Sequence, residues 1–206
     1  MNLDRCRRLL ENVCDSFRDC AVCGLNAQSQ FFLCSRCKNY LENKVLDDGV
    51  SRRNLGSLDH VWLYTWKGSD TFGQQALHSL KGPGLVASFQ WLASLFVSER
   101  LFSWPSSATL IYPTKGSWDH GRSWAEGLSL ATGCPVMGLH LEGGKKQSLL
   151  SRKERLSVLF EPRRVSGPVI FVDDIVTTGA TAKAAYLALG RPKNFAIWSL
   201  FYRPFL

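Results

Sequence analysis

Val169-Ile170-Phe171-Val172-Asp173-Asp174-Ile175-Val176-Thr177-Thr178-Gly179-Ala180-Thr181 is the stretch on which the reading of this chain turns. Four consecutive apolar residues read as a strand buried on both faces, the pattern of a parallel sheet. The strand runs into two carboxylates, then a Thr/Gly-rich turn, then a helix from Thr181 to Leu189 closed by Gly190. At the carboxyl end of a parallel strand such a turn aims backbone N–H groups outward. The following helix adds its N-terminal dipole, and together they form a phosphate cradle. Thr177, Thr178 and Thr181 add hydroxyl donors around Ala180, and Gly179 permits a close backbone approach or a positive φ. Asp173 and Asp174 would repel a phosphate, but they suit hydrogen bonds from the hydroxyls of a sugar. The set describes a ribose 5-phosphate.

Two other readings of the same residues exist. Four apolar residues followed by Asp-Asp also resemble a Walker B strand, which needs a G-x-x-x-x-G-K-[ST] loop elsewhere. The chain has none: Gly143-Gly144-Lys145-Lys146 lacks the first glycine and the Ser or Thr. Gly82-Pro83-Gly84-Leu85-Val86-Ala87 fits G-x-G-x-x-A in form, yet it follows Leu80-Lys81 rather than a clear strand. The plainer alternative is an ordinary strand, turn and helix with polar turn residues. The density of matching residues argues against it.

Outward from this segment, short apolar runs alternate with helix-like ones. Val61–Tyr64, Thr109–Tyr112, Val136–Leu139 and Phe195–Phe201 read as strands. Phe72–His78, Gly84–Phe96 and Ser123–Thr132 read as helices, the last closed by Gly133. This alternation predicts an α/β fold with a parallel sheet flanked by helices over residues 59–206. Residues 1–58 form the other expected unit. Leu3, Leu9, Leu10, Val13 and Phe17 stand at roughly helical spacing within residues 1–19, and a cysteine-rich segment follows.

That segment holds Cys20-x-x-Cys23 and, ten residues later, Cys34-x-x-Cys37. Each C-x-x-C turn lets two sulfurs face one ion, and two such turns complete a tetrahedral shell for structural Zn²⁺. Disulfides, the alternative, need an oxidising compartment that nothing in the sequence suggests. Cys6, Cys14 and Cys134 have no partner at ligand spacing and read as small buried hydrophobes. The four histidines show no metal or triad spacing.

Lys and Arg number 25 against 17 Asp and Glu, a formal net charge of +8 that favours anionic partners such as phosphorylated metabolites or nucleic acid. No apolar run approaches the roughly 18 residues a membrane span needs. The charged N-terminus leads into no signal-like apolar core, so a cytoplasmic protein is expected.

Val172–Thr181 resembles the signature loop of type I phosphoribosyltransferases, and the two cysteine pairs narrow the resemblance to the ComF/GntX family of competence-associated proteins. Gln147-Ser148-Leu149-Leu150-Ser151-Arg152-Lys153-Glu154-Arg155-Leu156, followed by Phe160, is similar to that family's stretch upstream of the signature. Leu80-Lys81 is similar to its element near the start of the catalytic domain. The family's "R-G-F-N-Q-A" motif is not kept, with His120, Ser123 and Trp124 standing where Arg, Asn and Gln belong. The resemblance implies a type I phosphoribosyltransferase-like sheet beside a zinc-ribbon-like module. It implies a ligand, phosphoribosyl pyrophosphate with Mg²⁺, and pentosyl transfer to a nitrogen base in an active enzyme.

On that resemblance Asp173 and Asp174 hold the ribose hydroxyls, and Thr177, Thr178, Gly179, Ala180 and Thr181 hold the 5-phosphate. Lys81, Lys115 and Arg122 are candidates for the pyrophosphate. The basic stretch from Lys145 to Arg155 reads either as a mobile lid or as a solvated charged helix. A second reading makes the chain an accessory protein that binds single-stranded nucleic acid and keeps a degenerate phosphoribosyltransferase domain. The family's association with DNA uptake, the basic balance and the many aromatics support it.

Overall fold

The strand that begins at Val169 lies in the middle of a seven-stranded sheet. The computed structural model describes residues 17–28, 33–48, 50–67, 70–80, 86–98, 105, 107–114, 120–142 and 159–204. Among them are β1 (Phe17–Asp19), β2 (Asn26–Gln28), α1 (Ser35–Asp48), β3 (Ser51–Leu55) and β4 (Leu58–Thr65). There follow α2 (Thr71–Ser79), α3 (Val86–Ser98), β5 (Thr109–Thr114), α4 (His120–Thr132) and β6 (Val136–Glu142). The chain continues through β7 (Leu159–Phe160), β8 (Val169–Val176), α5 (Ala180–Ala188) and β9 (Phe195–Tyr202). Every strand and helix expected after residue 59 is present within a few residues of its expected bounds. The expected N-terminal helix falls on residues outside the described ones, except for Phe17–Asp19, which are a strand and not a helix turn.

The sheet order is β3-β4-β9-β8-β5-β6-β7. β4, β9, β8, β5 and β6 run parallel, and β3 and β7 are antiparallel edges. Side chains alternate between the two faces, as strand geometry demands. Ile170 and Val172, Leu110 and Tyr112, and Trp198 and Leu200 pack on one side with Phe89, Phe96, Trp124 and Leu128 of α3 and α4. Val169, Phe171, Ile111 and Ile197 pack on the other with Ala182 and Ala185 of α5 and with Leu189, which caps it. Both faces are therefore covered, which is why the central strands read as unbroken apolar runs.

The cysteine-bearing segment joins the first of these cores. Cys20, Leu33, Cys34, Cys37, Leu41 and Val45 are buried in the same cluster as Val61, Leu63 and Leu92. The Trp91 indole donates to Glu42 Oε1 at 2.8 Å and ties α1 to α3. The hairpin from β3 to β4 carries the chain across the expected boundary at residue 58, so β3 is part of the large sheet.

Candidate functional site

Chain order and sheet order together place the site. From β5 the chain moves to β6 on one side, and from β8 to β9 on the other, so the direction of winding reverses between β5 and β8. In open α/β sheets ligands bind at such a reversal, at the carboxyl ends of the strands. The strands themselves part there. β5 pairs with β8 only as far as Ile111↔Phe171. β8 stays with β9 up to Val176↔Tyr202, and β5 stays with β6 up to Thr114↔His140. Pro113 has no N–H to donate to either neighbour, which favours the opening.

Asp173 and Asp174 sit where the strands separate. Asp173 is 6% exposed and Asp174 half-buried. Each carboxylate accepts the backbone N–H of the next residue, Asp173 Oδ1 from Asp174 at 3.1 Å and Asp174 Oδ1 from Ile175 at 2.9 Å. The regular alternation of faces also breaks here. Val172 and Ile175 both pack toward the α3–α4 side although they stand three positions apart. The carboxylates thus replace ladder partners for amides that a regular strand would have paired.

Past Val176 the chain turns through Thr177 and Thr178 into α5. Thr178 Oγ1 accepts the Ala180 N–H at 3.3 Å. Gly179 is the N-cap, with φ +74°, and a Cβ there would meet Leu55 Cδ1 at 3.1 Å. A positive φ and a close neighbour together explain the glycine. The helix begins with no acidic residue in its first turn, so no side chain of that turn offsets the positive end of its dipole.

The remaining phosphate candidates fare differently. Arg122 lies in the first turn of α4 and gives Nε to Glu126 Oε1 at 2.7 Å. Lys81 and Lys115 lie outside the described residues, as do Lys145 to Arg155. Trp124, which stands where the resemblance expects a glutamine, is fully buried, edge-on to Phe96 at 5.5 Å.

The cysteines converge. The Sγ atoms of Cys20, Cys23, Cys34 and Cys37 all lie within 4.8 Å of one another. Cys23 and Cys34 are 3.6 Å apart, close to the ~3.8 Å edge of a tetrahedron with Zn–S bonds of ~2.3 Å. The first knuckle is the turn between β1 and β2, closed by Gly24 in the left-handed region, whose N–H bonds the Cys20 carbonyl at 2.9 Å. The second forms as α1 begins, where the Lys38 N–H bonds the Cys34 carbonyl at 2.9 Å. Burial pushes the Cys20 thiol up, but backbone N–H groups of Cys34, Cys23 and Val22 outweigh it and hold the thiol down at about 6. Burial, and then the neighbouring sulfurs, push Cys37 up. A dication would reverse that penalty at Cys37. None of the described cysteines is in a disulfide.

Sequence reading missed one buried group. His60 of β4 is 0% exposed, and its Nε2 lies 2.9 Å from Ser199 Oγ. No spacing motif marks it, because its partner is on β9. A cleft of about 640 Å³ between the β3–β4 hairpin and α5 was not legible either.

No protein-family model matches the chain, and no curated protein does. Among solved structures, a purine phosphoribosyltransferase from Pyrococcus horikoshii Ot3 is similar over 59% of this chain and 84% of its own, at 11% identity and a TM-score of 0.36. Adenine phosphoribosyltransferase from Saccharomyces cerevisiae, solved with an imino-altritol bisphosphate and adenine, is similar over 81% of this chain and 89% of its own, at 16% identity and a TM-score of 0.38. Likenesses of that size decide nothing, and the architecture stands on the strand order and packing above. No helix among the described residues is long and apolar enough to cross a membrane.

Proposed function

We propose that the chain binds ribose 5-phosphate, or phosphoribosyl pyrophosphate with Mg²⁺, as a cytoplasmic phosphoribosyltransferase-like protein of the ComF type linked to DNA uptake. The observation that carries the reading is the parting of β5 from β8 beside Asp173 and Asp174, with the positive end of α5 directly downstream. In this reading the carboxylates accept the ribose hydroxyls. Thr177, Thr178, Thr181 and the amides around Gly179 and Ala180 take the 5-phosphate. Mg²⁺ takes oxygen donors, and the aspartate pair offers them beside the ribose position. In this reading the four cysteines take structural Zn²⁺ and hold the part of the expected N-terminal unit (residues 1–58) that precedes β3 against the sheet of the larger one (residues 59–206).

In an active enzyme the bond from the ribose carbon to the pyrophosphate oxygen breaks, and the pyrophosphate leaves with the electron pair. A base nitrogen forms the new bond and gives up its proton. The protein contributes position and electrostatic stabilisation of the departing charge. Lys81, Lys115 and Arg122 are the cations proposed for that task. Arg122 is drawn to Glu126, and this favours a second reading in which a degenerate domain serves an accessory protein that binds single-stranded nucleic acid.

Calorimetric titration with phosphoribosyl pyrophosphate and Mg²⁺ tests the binding. The Asp173→Asn plus Asp174→Asn variant keeps an amide oxygen for the Asp174 and Ile175 N–H groups, so its fold is expected to survive while heat is lost. No heat from the native chain at millimolar ligand sinks the proposal. Single-strand binding that weakens steeply with salt, in a chain that binds no phosphoribosyl pyrophosphate, establishes the second reading instead.

A further inference from the structure

We infer that the cleft between the β3–β4 hairpin and α5 is a second anion site, shaped for a nucleotide. It is lined by Arg53 of β3, Lys183 of α5 and Arg191 just beyond it, with no acidic residue in its wall. The sequence holds no Asp or Glu at all from Ile175 to Leu206, so the whole α5 side of the cleft is free of negative charge. Leu55, Leu58 and Tyr186 add apolar surface to the lining beside the cations. Its volume, about 640 Å³, lies in the range of small-molecule sites. Cations from both the hairpin and α5, with an aromatic ring and two leucines lining the same cleft, suit a ligand that carries phosphates and a flat base.

The cleft is separate from the aspartate pair. Neither Asp173 nor Asp174 lines it, nor do Thr177 and Thr181, and no residue of β5 or β6 does. It shares only the turn from Thr178 to Ala180 with the proposed ribose-phosphate site, and it does not depend on that reading.

Two of its cations are held in ways that folding does not require. Arg53 gives Nη1 to the Tyr202 hydroxyl and lies 4.6 Å over that ring, so its guanidinium is fixed at the cleft before any ligand arrives. Arg191 has φ +59°, the one positive φ among described residues other than glycine. The turn after α5 needs that conformation, because the Arg191 N–H reaches back to the Tyr186 carbonyl at 2.9 Å. Glycine would adopt it without strain, so an arginine there is kept at a cost in stability.

Titration of the full chain with adenosine 5′-diphosphate, and separately with inorganic pyrophosphate, tests the site. The diphosphate nucleotide is expected to bind the more tightly. Lys183→Ala and Arg191→Gly should each weaken it roughly tenfold, the loss of one charge-assisted contact. Arg191→Gly should leave the unfolding midpoint unchanged or raise it, an outcome that no folding role for the arginine gives. Tyr186→Ala should weaken nucleotide binding and spare pyrophosphate. Asp173→Asn plus Asp174→Asn should leave both affinities as they were, which separates this site from the ribose-phosphate one. Absence of binding at millimolar nucleotide, indifference to Lys183→Ala and Arg191→Gly, or dependence on the aspartates overturns the inference.

Discussion

Leu55, at the end of the edge strand β3, packs against Gly179 so closely that a Cβ on the glycine would come within 3.1 Å of Leu55 Cδ1. The contact joins residues 124 positions apart and sets the hairpin against the turn that opens α5. Gly179→Ala should therefore be destabilising through φ +74° alone, by about 1–2 kcal/mol, with the leucine contact adding to it. Denaturant unfolding of Gly179→Ala with and without Leu55→Ala separates the two causes. If the double variant restores the steric part only, an excess over the Leu55→Ala loss remains, and it measures the backbone strain.

His60 makes stability depend on pH. Ser199 Oγ donates to the Phe201 carbonyl at 3.0 Å, so it accepts from His60 Nε2–H, and Nδ1 is left a buried acceptor without a partner among the described residues. Burial first, and then the nearby charge of Arg53, lower its pKa to about 3. The folded state keeps the ring neutral while the unfolded chain binds a proton below about 6.5. The stability this confers is fully present above that value and is lost as pH falls toward 3, at about 1.4 kcal/mol per pH unit. Unfolding measured at pH 6.5 and pH 5 should differ by about 2 kcal/mol more in the native chain than in His60→Gln. Equal slopes would falsify the assignment.

Removal of a metal from the four-cysteine cluster should be felt in the main core. Cys20, Cys34 and Cys37 share a buried cluster with strand residues Val61 and Leu63. Elemental analysis is expected to find one zinc per chain, lost in Cys37→Ser. Chelation should lower the single cooperative melting transition rather than release an independent module. A chain that purifies without metal and melts at the same temperature refutes the site.

Gly127 of α4 faces the backbone of α3, where an added Cβ would meet the Phe89 carbonyl oxygen at 2.8 Å. Backbone cannot yield as a side-chain tip does, so Gly127→Ala should push the helices apart. The overpacking, about 1–3 kcal/mol, outweighs the ~1 kcal/mol that alanine gains in helix propensity. Measured by denaturant unfolding, the variant should come out less stable, and a gain in stability would show that the two helices pack less tightly than this.

The elements after residue 59 were legible because each carries its own local signal. Val169–Val172 and Phe195–Phe201 are apolar enough to be buried on both faces, and the helix ends are marked by Gly133 and Gly190. The cysteine pairs were legible for the same reason, since metal spacing is a local property. α1 and β3 were not. Ser35–Asp48 is mostly polar, and its helix rests on one narrow stripe, Cys37, Leu41 and Val45, that meets the core only after folding. Ser51–Leu55 contains Arg52, Arg53 and Asn54, which are poor strand formers, and it is a strand because β4 pairs with it. Arg52 is held there by a two-pronged bond to Asp59, both contacts at 2.8 Å.

For the loop itself, the residues alone determined the chemistry on offer: carboxylates, hydroxyls, a glycine and a helix start, in an order that suits a ribose phosphate. Only the tertiary structure decided where the loop opens, because the separation of β5 from β8 is a property of two strands about 60 residues apart. It also decided which charges stand together. Arg122 turned to a neighbour one helical turn away, while Arg53 met Lys183 and Arg191 across more than half the chain. Pairing between distant segments has no local signature, since it depends on burial and register that exist only once the sheet has formed.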